Sequence, residues 1–295
     1  MQPFRVGYQI FSWRRHYPGS WWLAARQLAG LGYRGIEGEY TIAELYEGRE
    51  SEFRDQMQRY GMDLAAFYST TDLDHATEGY ENRRKNLAAA RFAKPLGCKV
   101  IVIGGTEATE RTADRFQEYA RQANALGKEV FEATGLKIGV HPHLGSLIEK
   151  RPDIDRIMEM TDPRYYYLCP DTAHLAAGGS DPVEVFRTYR SRIIHTHFKD
   201  YRPPAKPGEW GQFLELGQGT VDFPALVTEL KGAGYRGWID VELDGSPDPE
   251  RAAGRNREYL VKTLHLDLEA GAGSPPPKPA CSWTELIADS TRQGQ

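Results

Sequence analysis

Short apolar runs alternate with longer amphipathic stretches along most of the chain. Eight runs predict β-strands, and they lie at residues 4–10, 33–39, 62–68, 99–104, 136–141, 165–171, 192–198 and 237–243. The stretches between them carry helix signals, with Pro152, Pro182 and Pro224 near helix starts and Gly32, Gly61, Gly97 and Gly135 at helix ends. Such alternation predicts an α/β protein with a parallel sheet, and eight units predict a closed (β/α)₈ TIM barrel.

The predicted barrel occupies residues 1–268, a length that α/β barrels reach as a single domain. Residues 269–295 differ in character, because the Pro/Gly linker GAGSPPPKPA is followed by the short segment CSWTELIADS. We expect this tail to be either a disordered end or an arm that docks Trp283 and Leu286 on a neighbouring subunit.

Composition and charge narrow the class of protein. The net charge is -4 with both signs mixed along the chain, which argues against a nucleic-acid surface. No apolar stretch is long enough for a membrane span, and MQPFRVGYQI lacks the features of a secretory signal. Cys98, Cys169 and Cys281 are far apart, which excludes a CxxC zinc site or a disulfide framework. We expect a cytoplasmic protein that binds neither nucleic acid nor membrane.

Histidines and carboxylates are concentrated at the ends of the last four predicted strands. These residues are His141 and His143, Asp171 and His174, His195, His197 and Lys199, then Asp240, Glu242 and Asp244. Chemistry in a TIM barrel collects at the C-terminal ends of the strands, so these side chains are predicted to share one site.

One ligand from each of these four strands predicts a metal centre formed by His141, Asp171, His197 and Glu242. Side chains alternate along a strand, so His195 and His197 share a face, as do Asp240 and Glu242. One member of each pair can reach an ion at the rim, while the other lies deeper or supports it. Two imidazoles and two carboxylates suit a borderline or hard divalent ion. We expect Mn²⁺, and Co²⁺, Zn²⁺ and Mg²⁺ fit the same donors.

Other candidate residues are expected to be structural or have both a structural and a functional interpretation. We expect His16, His75 and His265 to be structural, whereas Glu37, Glu39 and Glu107 could form salt bridges or serve the site. Trp13 and Phe11 could stack on a sugar ring or pack in the core. Substrate specificity is expected in loops at residues 11–20, 68–80 and 200–216.

The motifs VHPHLG, PDTAHL, HTHFKD, LGQGTVDFPAL and GYRGWIDVELD together resemble the xylose isomerase-like barrel superfamily of sugar isomerases, epimerases and dehydratases. The resemblance covers residues 4–265. It implies one divalent ion held by His141, Asp171, His197 and Glu242, with His174 and His143 touching the substrate. Members that isomerise or epimerise usually have Glu where this chain has His141, and His there is closer to inosose dehydratase-like members.

The resemblance therefore implies a lyase of the dehydratase type acting on a keto-sugar or keto-cyclitol. A sugar isomerase or epimerase, the catalytic subunit of a C-glycoside deglycosidase with a small partner subunit, and a non-catalytic sugar-binding barrel remain alternatives. An abasic-site endonuclease is disfavoured by the acidic charge balance. Barrels of this kind often associate with one another, so this protein could also form a homo-oligomer.

The expected chemistry starts with removal of a proton next to a carbonyl group that the ion polarises. Glu242 or His141 is the expected base, since a base must reach that proton directly. A lyase also needs an acid for the departing β-oxygen, and His143 or His174 suits that role near neutral pH. Lys199 is expected to hold the enolate oxygen, and Trp13 to contact the substrate ring.

Overall fold

A computed structural model of the protein describes residues 4–16, 21–70, 73, 76–104, 108, 110–206, 209 and 211–268. His75, Glu107, Cys281 and the whole tail with Trp283 and Leu286 lie outside these residues. The expectations made for them stay predictions.

Eight parallel strands form the main sheet, and each contains part of a predicted run. They are β1 (Arg5–Gln9), β2 (Gly35–Glu39), β3 (Asp63–Thr70), β4 (Val100–Gly104), β5 (Lys137–His141), β6 (Tyr166–Leu168), β7 (Thr196–Phe198) and β10 (Trp238–Val241). A separate antiparallel hairpin consists of β8 (Asp200–Arg202) and β9 (Gln212–Leu214).

The strands follow one another around the sheet in the order β6-β5-β4-β3-β2-β1-β10-β7. Two isolated parallel bridges, Leu168 with Ile193 and Asp171 with His197, join the two ends of this order. Backbone hydrogen bonds from Ile194 N to Leu168 O and from His197 N to Pro170 O support the closure. The predicted (β/α)₈ TIM barrel is therefore confirmed.

Helices surround the sheet. They are α1 (Phe11–His16), α2 (Trp21–Gly30), α3 (Tyr40–Leu45), α4 (Glu50–Tyr60), α5 (Ala76–Ala93), α6 (Ala113–Thr134), α7 (Arg151–Met160), α8 (Thr172–Ala177), α9 (Pro182–Tyr189), α10 (Phe223–Gly232) and α11 (Pro249–Lys262). None of the helices in the described part of the chain is both long and apolar enough to span a membrane. Pro152, Pro182 and Pro224 do lie in the first turns of α7, α9 and α10, as predicted.

The segments predicted as specificity loops contain regular structure. Helix α1 occupies most of the described part of 11–20, β3 and α5 extend into 68–80, and the β8–β9 hairpin occupies much of 200–216. These elements are short or poor in periodic apolar residues, so the sequence pattern did not predict them. The loop prediction was wrong for these three segments.

The core has two layers because successive strand residues point to opposite faces. Outward residues such as Ile36, Ile101 and Val241 pack with the helices in the large apolar cluster. Inside the barrel a smaller cluster contains Ala66, Tyr68, Val100, Val102 and Cys169. Other inward positions near the C-terminal ends of β2, β5, β7 and β10 carry the buried polar residues Glu37, His141, His197 and Asp240, and these belong to the site.

Candidate metal centre

Strand alternation brings the polar side chains of four neighbouring strands into the barrel. Val140 on β5 and Val241 on β10 pack outward, so His141 and Glu242, one residue further on, point inward. Asp171 follows β6 and also caps α8, since its Oδ1 accepts hydrogen bonds from the backbone N–H groups of Ala173 and His174. That capping bond leaves Asp171 Oδ2 directed away from the helix.

His141, Asp171, His197 and Glu242 lie close enough to hold one ion. Each offers a ligand atom, and these atoms lie within 4.8 Å of one another, with all four residues buried. His141 Nδ1 makes no hydrogen bond within the described residues, whereas His197 Nδ1 lies 2.6 Å from Glu242 Oε2 and Asp171 Oδ2 lies 3.2 Å from Lys199 Nζ. A buried polar atom without a partner is costly, and a cation among these four atoms would satisfy His141 Nδ1 while the carboxylates of Asp171 and Glu242 match its charge. The residues present therefore fit a divalent ion.

The Lys199 ammonium group is a fixed charge beside these donors. Its Nζ lies 3.2 Å from Asp171 Oδ2, 3.0 Å from Glu242 Oε1 and 3.1 Å from Asp244 Oδ1, and the side chain is fully enclosed. Burial alone would lower the pKa of Lys199, but the three carboxylates hold this pKa well above its usual value. Lys199 is therefore a permanent cation of the site.

The electrostatics of the carboxylates and histidines differ from one residue to the next. Burial raises the pKa of Asp171 to about 7, with Lys199 opposing the shift. Burial also opposes ionisation of Glu242, yet Lys199 and His197 hold the pKa of that carboxyl well below its usual value. Burial and the nearby His197 lower the pKa of His141 strongly, so His141 is a neutral imidazole with a free lone pair.

His143 and His174 form a pair of rings above the ligand set. Their ring centroids are 3.9 Å apart, and His174 lies 5.5 Å from His141 and 5.0 Å from Phe213 of the β8–β9 hairpin. His143 Nδ1 lies 2.8 Å from Leu144 O, which can only accept, so Nδ1 carries the proton. His174 Nε2 lies 3.1 Å from Lys199 Nζ, and burial followed by Lys199 holds the pKa of His174 low.

This site lies in a sequence region that matches one protein family. The sequence profile of the xylose isomerase-like TIM barrel family matches residues 25–263, most of the chain. The chain belongs to the xylose isomerase-like TIM barrel family. The resemblance stated from the motifs is thereby confirmed.

Individual members of the family match over most of their own length. An inosose dehydratase from Geobacillus kaustophilus is 27% identical over 307 residues, covering 92% of this chain and 98% of the relative. One from Lacticaseibacillus casei is 30% identical over 277 residues, covering 84% and 91%. The structure of a xylose isomerase-like TIM barrel protein from Mycobacterium smegmatis in complex with magnesium has a TM-score of 0.73 at 18% identity, covering 88% of this chain and 96% of that one.

Two residues singled out in the sequence, Trp13 and Glu39, lie away from the candidate metal centre. Trp13 is not brought to the site, because its indole N–H donates to Gln27 on α2 and its ring packs against Tyr8 in the helix layer. Glu39 lies at the N-terminus of α3 and accepts a hydrogen bond from Thr41. Glu37, by contrast, is inside the barrel beneath the ligand set.

Two aromatic residues of the site were missed by the sequence reasoning. Tyr68 lies 5.8 Å from His141 between ring centroids, and Phe11 packs against Tyr68 at 5.4 Å. Phe213 lies over Lys199, with 4.9 Å between Nζ and the ring centroid. Tyr68 could have been found as the last inward residue of its predicted strand. No signal pointed to Phe213, because its hairpin was taken for a loop.

Proposed function

We propose that the protein is a divalent-metal-dependent dehydratase that acts on a keto-cyclitol, an inosose in particular. The observation that carries the proposal is the convergence of two imidazoles and two carboxylates, all buried, with their ligand atoms within 4.8 Å of one another. Two inosose dehydratases that match the chain nearly end to end supply the substrate class. Those relatives also indicate an enzyme of the lyase and isomerase type that acts on carbohydrates.

His141, Asp171, His197 and Glu242 would hold the ion, and a mixed nitrogen and oxygen set suits Mn²⁺, Co²⁺, Zn²⁺ or Mg²⁺. An ion bound there supplies Lewis-acid polarisation of the substrate carbonyl oxygen. The neutral His141 contributes no negative charge, whereas a glutamate at that position would add a second potential base. The chain therefore has one carboxylate pair, Asp171 and Glu242, rather than two opposed glutamates.

Glu242 is the proposed base for the proton next to the carbonyl group. Its carboxyl is ionised at neutral pH because Lys199 and His197 lower its pKa, and Lys199 already contacts its Oε1. Lys199 also supplies a positive charge beside the oxygen on which the negative charge of the enolate accumulates.

His143 is the proposed acid for the departing β-hydroxyl group. Its Nδ1 proton is held by Leu144 O, so Nε2 is the atom that gains and gives the second proton. His174 accepts from Lys199 and so positions that ammonium group. Loss of one proton and one hydroxide from neighbouring carbons releases one water and leaves a carbon–carbon double bond, so the step is balanced without an oxidant.

The test is incubation of the Mn²⁺-loaded full chain with inosose in D₂O, followed by mass spectrometry and NMR after removal of the ion. A dehydratase gives a product lighter by one water. A product of unchanged mass that carries deuterium at a former C–H position would replace the proposal by an isomerase or epimerase. No reaction with inosose, together with turnover of a 3-keto-glucoside, would indicate deglycosidase chemistry instead.

Two variants separate binding of the ion from proton transfer. Asp171→Asn should lose both metal binding and turnover, because it removes one of the two carboxylate ligands. His143→Gln should keep the metal and lose about 10²–10⁴-fold in turnover, the usual contribution of a positioned acid. Full turnover by His143→Gln would exclude His143 as the acid.

A further inference from the structure

A second group of buried polar side chains lies directly beneath the proposed ligands. It consists of Glu37 on β2, His195 just before β7, and Asp240 on β10, and each is at most 1% exposed. His195 Nε2 lies 3.0 Å from Glu37 Oε2 and 3.2 Å from Asp240 Oδ2. The proposed reaction uses none of these three groups, and burying two carboxylates with one imidazole is costly.

The link between this group and the site is His197. Its Nε2 is hydrogen-bonded to Glu37 Oε2 at 2.9 Å, while its Nδ1 faces the ligand set and lies 2.6 Å from Glu242 Oε2. A carboxylate accepts, so Nε2 carries a proton in this bond, and Nδ1 is the nitrogen whose lone pair an ion in the ligand set can use. When an ion binds at Nδ1, Glu37 therefore holds the remaining proton on Nε2 and fixes the ring with Nδ1 toward the ion.

His195 and Asp240 extend the link downward. His195 stands two residues before His197 and contacts the same Glu37 oxygen, so it limits rotation of that carboxylate. Asp240 reaches His195 because Gly7 on β1 has no side chain: a Cβ atom there would overlap with Asp240 Oδ1. The three strands β1, β2 and β10 thus leave room for the group deep in the barrel.

We propose that Glu37, His195 and Asp240 form a positioning relay that fixes His197 with Nδ1 toward the ion and places negative charge beneath it. The inference rests on the proposed metal centre and adds positioning residues to it. Partners of this kind on a ligating histidine typically change metal affinity by about 10–100-fold. The relay has no direct contact with substrate and is not catalytic.

A second ion is the competing use of the same atoms. Glu37, His195 and His197 also offer ligand atoms within 4.8 Å of one another. The hydrogen bond between His197 Nε2 and Glu37 favours the relay, because an ion between them would have to displace the Nε2 proton. Metal stoichiometry separates the two uses.

The experiment is a Zn²⁺ titration of the full chain against a chromophoric chelator. The relay predicts one ion per wild-type chain and about 10–100-fold weaker binding by Glu37→Ala. Glu37→Gln keeps an oxygen acceptor for His197 and should regain most of the affinity. Glu39→Gln, on the same strand but outside the relay, should bind like the wild type. If Glu37→Ala does not fold, Asp240→Asn carries the test, with a smaller loss in the same direction.

Long-range ¹H–¹⁵N NMR of histidine-labelled protein reads the tautomer directly. Wild-type His197 should be protonated at Nε2 and bound to Zn²⁺ through Nδ1, whereas Glu37→Ala should show mixed tautomers in the metal-free state. Unchanged affinity and an unchanged tautomer in Glu37→Ala would overturn the relay. Two ions per wild-type chain would replace it by a second metal site, and no Zn²⁺ binding by the wild type would instead overturn the proposed metal centre.

Discussion

The ammonium group of Lys199 lies 3.0 Å from Oε1 of Glu242, and both side chains are enclosed by protein. Lys199 is also 3.2 Å from Asp171, so one cation neutralises part of the charge of two proposed ligands. Removing one partner of a buried ion pair leaves an uncompensated charge and costs far more than removing an exposed pair.

Lys199→Met should therefore destabilise the metal-free protein by about 3–5 kcal/mol, measured by urea unfolding in the presence of a chelator. Excess divalent ion should restore part of this loss, because binding to the native state alone adds stability. Lys262→Met is the matched control, since Lys262 is exposed and pairs with Glu258 at 3.7 Å; it should change stability by less than about 1 kcal/mol. Equal stability of the two variants would contradict the role of Lys199 as the cation that compensates the buried carboxylates.

Gly104 and Tyr68 form a tight pair at the rim of the barrel. A Cβ atom on Gly104 would overlap with the Tyr68 hydroxyl oxygen, so Gly104→Ala should cost about 1–3 kcal/mol of unfolding free energy through overpacking. Gly30→Ala on α2 meets no atom within 4 Å and should be neutral or stabilising by about 0.5–1 kcal/mol.

A double variant tests the cause of that loss. Tyr68→Phe removes the overlapping oxygen but leaves the ring carbon Cζ 2.6 Å from the added Cβ, so it should recover only part of the stability lost by Gly104→Ala. If the two losses simply add, the hydroxyl group is not the source of the strain.

The two described cysteines should be unreactive in the folded protein. Burial raises the pKa of Cys98 to about 12 and raises the pKa of Cys169 well above its usual value, so both remain thiols at mildly alkaline pH. Since the thiolate is the nucleophile, a disulfide reagent should modify neither cysteine in a native Cys281→Ser variant, and both after denaturation in guanidinium chloride. Rapid modification of the native variant would show that the barrel interior opens to solvent.

The strand pattern predicted the barrel and the ligand set because both depend on short-range regularities. Eight apolar runs give eight strands, and the last residues of adjacent parallel strands must meet at one rim. The runs at 165–171 and 192–198 shrink to the three-residue strands β6 and β7, however, since the contacts between them are isolated bridges rather than a continuous ladder.

The remaining parts of the site depend on contacts that cross the barrel. Glu37 meets His197, which is 160 positions away in the sequence, and only the packing of β2 opposite β7 brings them together. Trp13 was expected near the substrate because it follows β1, but α1 starts immediately and turns the indole toward α2. Side-chain direction in such short helices is set by tertiary packing, which the apolar pattern does not encode.

The closure of the sheet between β6 and β7 rests on only two isolated bridges in the described chain, and one of them pairs Asp171 with His197. Two of the four proposed ligands therefore lie where the barrel closes through isolated bridges rather than a continuous ladder. A molecule or ion that engages both residues acts as an additional cross-link between β6 and β7, where the barrel closes. Tighter ligand binding should then slow hydrogen exchange at the amides of this closure, such as His197 N–H, because both depend on the free energy of opening β6 from β7.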